Sequence, residues 1–200
     1  MKIRFAYRIF SVPLLVLMVF LTGCFPDEPA EETTPSASLT KRFKNEAPVK
    51  EPSKFAIVIS GNSDDRYQGN TSIIYQVLLE NGYRRSEIYI LDGDGDRKPW
   101  YPVDGEASNI NIRTLIRHLR DRIRPEDRFF VYTTDHGDQT TISDLNGKRE
   151  VTVSTLSCTS GNDINANEFA SYFSELRTKH AVFVFDQCYG GRVCREDRRE

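Results

Sequence analysis

Two short motifs hold the residues whose types and spacing could do chemistry. "YTTDHGD" sets His136 between Asp135 and Gly137, and "VFDQCYGG" sets Cys188 two residues after Asp186 and just before Gly190 and Gly191. Each motif follows an apolar run that stops abruptly. A free thiol is only a few per cent thiolate near neutrality, so a nucleophilic cysteine needs a base or a positive neighbour. A histidine on an adjacent strand end supplies one. Backbone N–H groups after the histidine and at the cysteine would hold a developing oxyanion, where one donor is typically worth about 3 kcal/mol of barrier. Gly137 has no side chain to obstruct that role. The competing reading of Cys188 is a small buried hydrophobe or half a disulfide, a serious rival in an exported chain.

The elements that must position these residues read as follows. "FAIVIS" (Phe55 to Ser60) and "EIYIL" (Glu87 to Leu91) are short apolar, β-branched runs of strand type. Between them a helix opens at Asn70 or Thr71, carries Ile73, Ile74, Val77 and Leu78 on one side, and closes at Asn81-Gly82. A second helix starts near Asn109, with Ile112, Leu115, Ile116, Leu119 and Ile123 as an apolar stripe and Pro125 beyond its end. "RFFVYTT" (Arg128 to Thr134) is the third strand, followed by a hairpin turning at Asn146-Gly147. A third helix follows, with Asn165 and Glu168 in capping-box positions, and "HAVFVF" (His180 to Phe185) is the fourth strand.

Strand, helix, strand, helix, strand, hairpin, helix, strand is the order of an open, mostly parallel α/β sheet. Chemistry in such sheets collects at the carboxyl ends of the strands. His118 lies beside a helical stripe and His180 begins a strand at the wrong end, which leaves His136. Of the four cysteines, only Cys188 directly follows a strand end. Cys158 and Cys194 could pair and leave Cys188 free, but sequence leaves the connectivity open.

The first 23 residues read as an address. Lys2, Arg4 and Arg8 precede an apolar run from Ile9 to Phe20, and "LTGC" puts small residues before Cys24. This is a secretory signal, too short and wrongly flanked for a membrane span. It resembles the bacterial lipoprotein signal, which implies lipidation of Cys24 and a domain tethered to an extracytoplasmic membrane face without spanning it. Removing these residues takes away three positive charges and no negative ones, so the formal charge falls below the −2 of the whole chain. No basic face stands out, so nucleic acid is not an expected partner. Residues 24–53 contain Pro26, Pro29, Pro35, Pro48 and Pro52 among Glu, Ser and Thr, and read as a disordered tether. Residues 54–200 suffice for one compact domain.

The chain from about residue 54 onward resembles the caspase-type cysteine peptidases, most closely the legumain branch. The matching residues are Asp135-His136-Gly137, the later Asp186-Gln187-Cys188, and "DDRYQGNTSIIYQ", where Arg66 and Gln68 occupy places that help form the legumain specificity pocket. The resemblance implies a caspase-like three-layer α/β sandwich with a mostly parallel sheet, helices on both faces and a hairpin after the third strand. It implies His136 as base, Cys188 as nucleophile, the Gly137 amide as oxyanion donor, Arg66 and Asp186 as pocket residues, and no cofactor. The substrate would be a peptide or protein. Legumains place an asparagine beside the histidine where this chain has Asp64, which is then cast as the group orienting His136. They place a glutamate where this chain has Asp186, and aspartate there is also similar to metacaspases, which cut after Arg or Lys; cleavage after Asn and after a basic residue both stay open. The family's sheet usually continues with two further strands, whereas "RVCREDRRE" follows here. The chain therefore reads as a domain cut short, with an apolar edge strand.

"YILDGDGD" raises two other possibilities. Asp92, Asp94 and Asp96 alternate as ligands of a hard cation would, but Arg97 and Val103 stand where an EF-hand needs glycine and glutamate. The stretch also resembles the Asp-x-Asp of haloacid-dehalogenase-type phosphatases, though Gly95-Asp96 follows where that family has Thr or Val. A solvated acidic loop, with no metal, is the expectation. From another class comes a peptidase-like domain without turnover, acting as a tethered binding or scaffold module.

Overall fold

The computed structural model describes residues 34–48, 52–143, 150–159 and 163–190. The elements run α1 (Ala37–Lys44), β1 (Lys54–Ser60), α2 (Asp65–Glu80), β2 (Ile88–Asp92), α3 (Asn109–Arg120), β3 (Arg128–Asp135), β4 (Gly137–Ser143), β5 (Glu150–Leu156), β6 (Ile164–Asn165), α4 (Ala166–Phe173) and β7 (His180–Gln187). Four strands form a parallel sheet in the order β2-β1-β3-β7, and β4, β5 and β6 form a separate antiparallel sheet.

The central strand β1 is buried on both faces, Phe55 to Ile59 being fully inaccessible. That is why it reads as an unbroken apolar run rather than an alternating one. On one face Phe55, Ile57, Ile59, Tyr89, Leu91, Phe129 and Val131 pack against Leu39 of α1, the α3 stripe and Phe169 of α4. On the other, Ala56, Val58, Ile88, Ile90 and Tyr132 pack against Tyr75 and Leu78 of α2. Helices on both faces of a mostly parallel sheet give three layers. The α3 stripe forms as expected, with Ile112, Leu115, Ile116 and Leu119 buried, while Ile123 is buried from the turn that follows the helix. Asn165 caps α4, its side chain accepting from the Glu168 amide at 3.0 Å.

Three expectations need correction. Part of the supposed disordered tether is folded: α1 lies within residues 24–53, Leu39 is fully buried, and Arg42 pairs with Asp104. One leucine in the core and a set of buried ion pairs hold a segment whose polar composition suggested disorder. Next, α2 begins at Asp65 with Asp64 at its N-cap, about one and a half turns before the expected start at Asn70 or Thr71. Its polar first turn shows no apolar periodicity. Finally, α2 buries Tyr67, Thr71, Tyr75 and Leu78, while Ile73 and Val77 are exposed at 63% and 44%. Tyrosine rings and a threonine methyl serve as its core stripe. The hairpin turn at Asn146-Gly147 lies outside the described residues.

The two outer strands of the main sheet differ. Along β2 the outward backbone groups are all engaged. Ile88 O accepts from Arg42 Nη2 (2.9 Å), Ile90 N donates to Asp104 Oδ2 (2.8 Å), Ile90 O accepts from Asp104 N (2.8 Å) and Asp92 N donates to Gly105 O (3.0 Å). Burial pushes the Asp104 carboxyl up, and the Arg42 guanidinium opposes that shift. Along β7, by contrast, Val182, Phe183 and Val184 are exposed, and no described residue pairs with the outer edge.

Candidate active site

Parallel pairing of β3 with β7 sets Thr134 opposite Asp186 and Asp135 opposite Gln187. The next residue on each strand is His136 and Cys188. Both motifs therefore end side by side at the carboxyl edge of the sheet, as the strand-end rule requires. Both side chains are exposed, and Cys188 is a free thiol. Strand alternation puts them on the face that carries Tyr132 and α2.

The backbone beneath the cysteine is held from three directions. Gly137 abuts Cys188 so closely that a Cβ on the glycine would lie 2.9 Å from the Cys188 carbonyl carbon and nearer still to its oxygen. Gln187 bonds Thr133 Oγ1 (2.6 Å) on β3 and donates to Thr155 O (3.5 Å) on β5. Ser154 Oγ donates to Tyr189 O at 3.0 Å. Tyr189 has φ of 61°, a left-handed conformation uncommon outside glycine. The residue after Cys188 is thus a sharp turn anchored to the β4–β5 hairpin.

On the histidine side, Asp135 is buried against Gly61, where any side chain would collide with its carboxylate. Burial pushes the Asp135 carboxyl up, while a bond from the His136 amide and the nearby imidazole oppose the shift. The His136 ring meets the edge of Tyr67, with centroids 5.6 Å apart, and the Arg66 guanidinium lies 5.4 Å from the centre of the same tyrosine. The imidazole and the Cys188 thiol are not hydrogen-bonded to each other among the described residues. In resting enzymes such pairs are often loose and tighten on binding.

Asp186 stands in front of Thr134. One carboxylate oxygen, Oδ2, accepts from Tyr132 OH (2.7 Å) and from Asn70 Nδ2 (3.1 Å). The other oxygen has no partner among the described residues and faces an exposed setting. Arg66 sits in the first turn of α2 and is exposed, but it makes no ion pair with Asp186. Asp64 occupies the N-cap, and its carboxylate makes no bond to His136. Gln68 donates to Ser63 O, which braces the loop before α2. Of the residues singled out by sequence, the fold brings together His136, Gly137, Cys188 and Asp186. It sets Arg66 beside them through Tyr67.

Sequence reasoning missed Tyr67, Asn70, Tyr132, Ser154 and Thr155. A helix start drawn at Asp65 would have put Tyr67 and Asn70 on successive turns facing the sheet, and strand alternation would have put Tyr132 on the face of Asp186. Nothing local to Ser154 or Thr155 signals a contact with residues 187 and 189. His118 is occupied elsewhere, bonding Glu46 at 2.8 Å and stacking on Phe43. Cys158 is buried, and burial pushes its thiol up to about 12. Its suggested partner Cys194, and Cys24, lie outside the described residues. Among the described residues no cluster of three or more His, Cys, Asp or Glu could hold a metal ion, and no helix is long and apolar enough to cross a membrane.

Comparison with known proteins gives little. No protein-family model and no curated protein matches the chain. Among solved structures the chain is similar to protein GSU0716 from Geobacter sulfurreducens, with a TM-score of 0.50 and 13% identity over 68% of this chain and 51% of that one. The chain thus spans about half the length of that structure. At this identity the likeness concerns the fold alone, and together with the sheet topology it bears out the caspase-like three-layer α/β sandwich.

Proposed function

We propose that the chain is a cysteine endopeptidase of the legumain type. The observation that carries this reading is the β3–β7 register, which sets His136 and Cys188 on adjacent strand ends with exposed side chains. Cys188 Sγ attacks the scissile carbonyl as its proton passes to His136. The imidazolium then protonates the leaving amine, which departs and leaves a thioester on Cys188. Water attacks that thioester, His136 taking its proton, and the acid product and free thiol are released. The Gly137 amide stabilises the oxyanion of both tetrahedral states.

Asp186 is the recognition group for the residue before the cut. Tyr132 and Asn70 fix its carboxylate through Oδ2, so the second oxygen is the acceptor offered to substrate. An asparagine side chain supplies the N–H for Asp186 and a carbonyl for Arg66. A basic residue would pair with Asp186 but be repelled by Arg66, so cleavage after Asn is favoured over cleavage after Arg or Lys. Export and lipid anchoring through Cys24 belong to the same proposal and rest on the leader sequence.

The test is labelling by an electrophilic peptide probe. It should modify Cys188 selectively, and His136→Ala should suppress that modification. Labelling at Cys188 undiminished by the histidine change would show that the two are not a catalytic unit. A second reading, a peptidase-like binding module without turnover, is favoured by the missing hydrogen bond between His136 and Cys188. It predicts slow, His136-independent alkylation and no cleavage of any peptide in a library.

A further inference from the structure

The acidic run Asp92-Gly93-Asp94-Gly95-Asp96 is a scaffold, and what it presents is cationic and aromatic. Asp92 Oδ2 accepts from Tyr101 OH (2.5 Å), and Asp92 O accepts from Gly95 N (2.6 Å). Asp94 Oδ1 accepts from Asp96 N (2.9 Å) and pairs with Lys98 at 3.3 Å. Lys98 also lies 3.9 Å from Asp92. The Asp92 carboxylate is thereby turned inward, and that of Asp94, still exposed, is held to Lys98. Gly95, at φ 81°, packs 2.7 Å from the Glu106 amide through the position a Cβ would take, so the loop closes tightly on the segment ahead of α3.

Held this way, the loop lines a cleft of about 520 Å³ together with Tyr75 of α2 and Arg85. That volume lies within the range of small-molecule sites, roughly 300–1,000 Å³. Arg97 and Arg85 line it, both exposed, and neither guanidinium has an acidic partner among the described residues. Trp100 lines it too, at 58% exposure, while Tyr75 and Tyr101 form a buried aromatic floor. The Tyr101 hydroxyl is committed to Asp92, so the polar recognition falls to the two arginines.

We propose that this cleft binds a small anion carried on a flat ring, of the nucleoside-phosphate class. Two uncommitted guanidiniums are suited to an anionic group with several acceptor oxygens, which they can grip by paired N–H bonds. An exposed indole face offers stacking to a planar ring. The cleft lies beside β2, two strands from β3 in the sheet, roughly 10 Å across the hydrogen-bonding direction. It shares no residue with the His136–Cys188 site, so the proposal does not depend on the peptidase reading.

Trp100 is the chain's only tryptophan, so its fluorescence reports on this cleft alone. The full chain would be titrated with AMP, adenosine, inorganic phosphate and a tetraglutamate peptide. AMP should change the emission saturably, with adenosine and phosphate each binding at least tenfold more weakly. Arg85→Gln and Arg97→Gln should each weaken AMP by roughly tenfold to a hundredfold, the usual span for losing a charge-assisted bond. Arg117→Gln, an exposed arginine on α3, should leave it unchanged, as should Cys188→Ala. Adenosine binding as tightly as AMP, or AMP binding undisturbed in the Arg85/Arg97 double variant, would overturn the proposal. So would tetraglutamate binding more tightly than AMP, which would make the cleft a site for acidic polypeptide.

Discussion

Replacing Gly137 with alanine tests whether the two strand ends are locked together. The added methyl would sit 2.9 Å from the Cys188 carbonyl carbon, 3.2 Å from its nitrogen and closer to its oxygen. Ordinary carbon contact begins near 3.5 Å, so Cys188 must recede by at least about 0.5 Å. The obstacle is backbone, which cannot swing aside as a side chain would, and Gln187 and Tyr189 are both bonded to the hairpin. Overpacking of this kind costs about 1–3 kcal/mol, which for a domain of this size lowers Tm by roughly 3–10 °C. Misplacing a nucleophile by about 1 Å costs on the order of a hundredfold in rate. Thermal unfolding and the rate of Cys188 labelling would be measured together. Gly69→Ala is the counter-control: nothing lies within 4 Å of its added methyl, and on α2 it should stabilise slightly. If Gly137→Ala unfolds and reacts as the parent does, the close packing of these two strand ends is refuted.

Three further outcomes are expected. Leu39→Ala should cost about 2–4 kcal/mol in denaturant unfolding, because its side chain is fully buried beside α3; a negligible change would mean that α1 does not belong to the folded domain. For Glu46, burial pushes the carboxyl up, but bonds from His118 and Tyr89 and the charge of Arg122 outweigh it and leave the value below the ordinary 4.5. Its stabilising contribution is therefore complete above the unfolded value and lost as pH falls through the lower folded one; Tm measured against pH should show that acid limb, and Glu46→Gln should flatten it. Cys158, with its thiol pushed up to about 12, should resist iodoacetamide at pH 8 under native conditions while exposed Cys188 is modified, as mass spectrometry of digests would show.

What could be read from the sequence was whatever depends on short-range pattern. β1, β2 and β3 announce themselves because a parallel strand buried on both faces is a continuous apolar run, β7 by an apolar run of the same kind although it is exposed, and the α3 stripe because its leucines and isoleucines recur at helical spacing. His136 and Cys188 could be ranked above the other histidines and cysteines because each follows such a run. The rest depends on partners far along the chain. Residues 37–46 look like linker until Arg42 meets Asp104 and Glu46 meets His118 and Arg122, contacts that no local composition encodes. Tyr67 and Asn70 were hidden by a polar helical turn, and the acidic loop looked solvated because its bonds to Lys98 and Tyr101 close only in three dimensions.

The unequal sheet edges limit how copies of this chain could assemble. With every outward backbone group of Ile88, Ile90 and Asp92 already engaged, no incoming strand finds a donor or acceptor along β2. Among the described residues, growth of the main sheet by strand pairing between copies is then confined to β7 meeting β7, an isologous contact that uses up the two available edges of that sheet. Within that sheet such a pairing closes at two chains, because only blocked β2 edges would remain at its two ends. A segment of exposed Val182, Phe183 and Val184 would ordinarily count as a seed for open-ended cross-β growth. Here Arg42 and Asp104, on the far side of the main sheet, act as terminators of growth along that sheet.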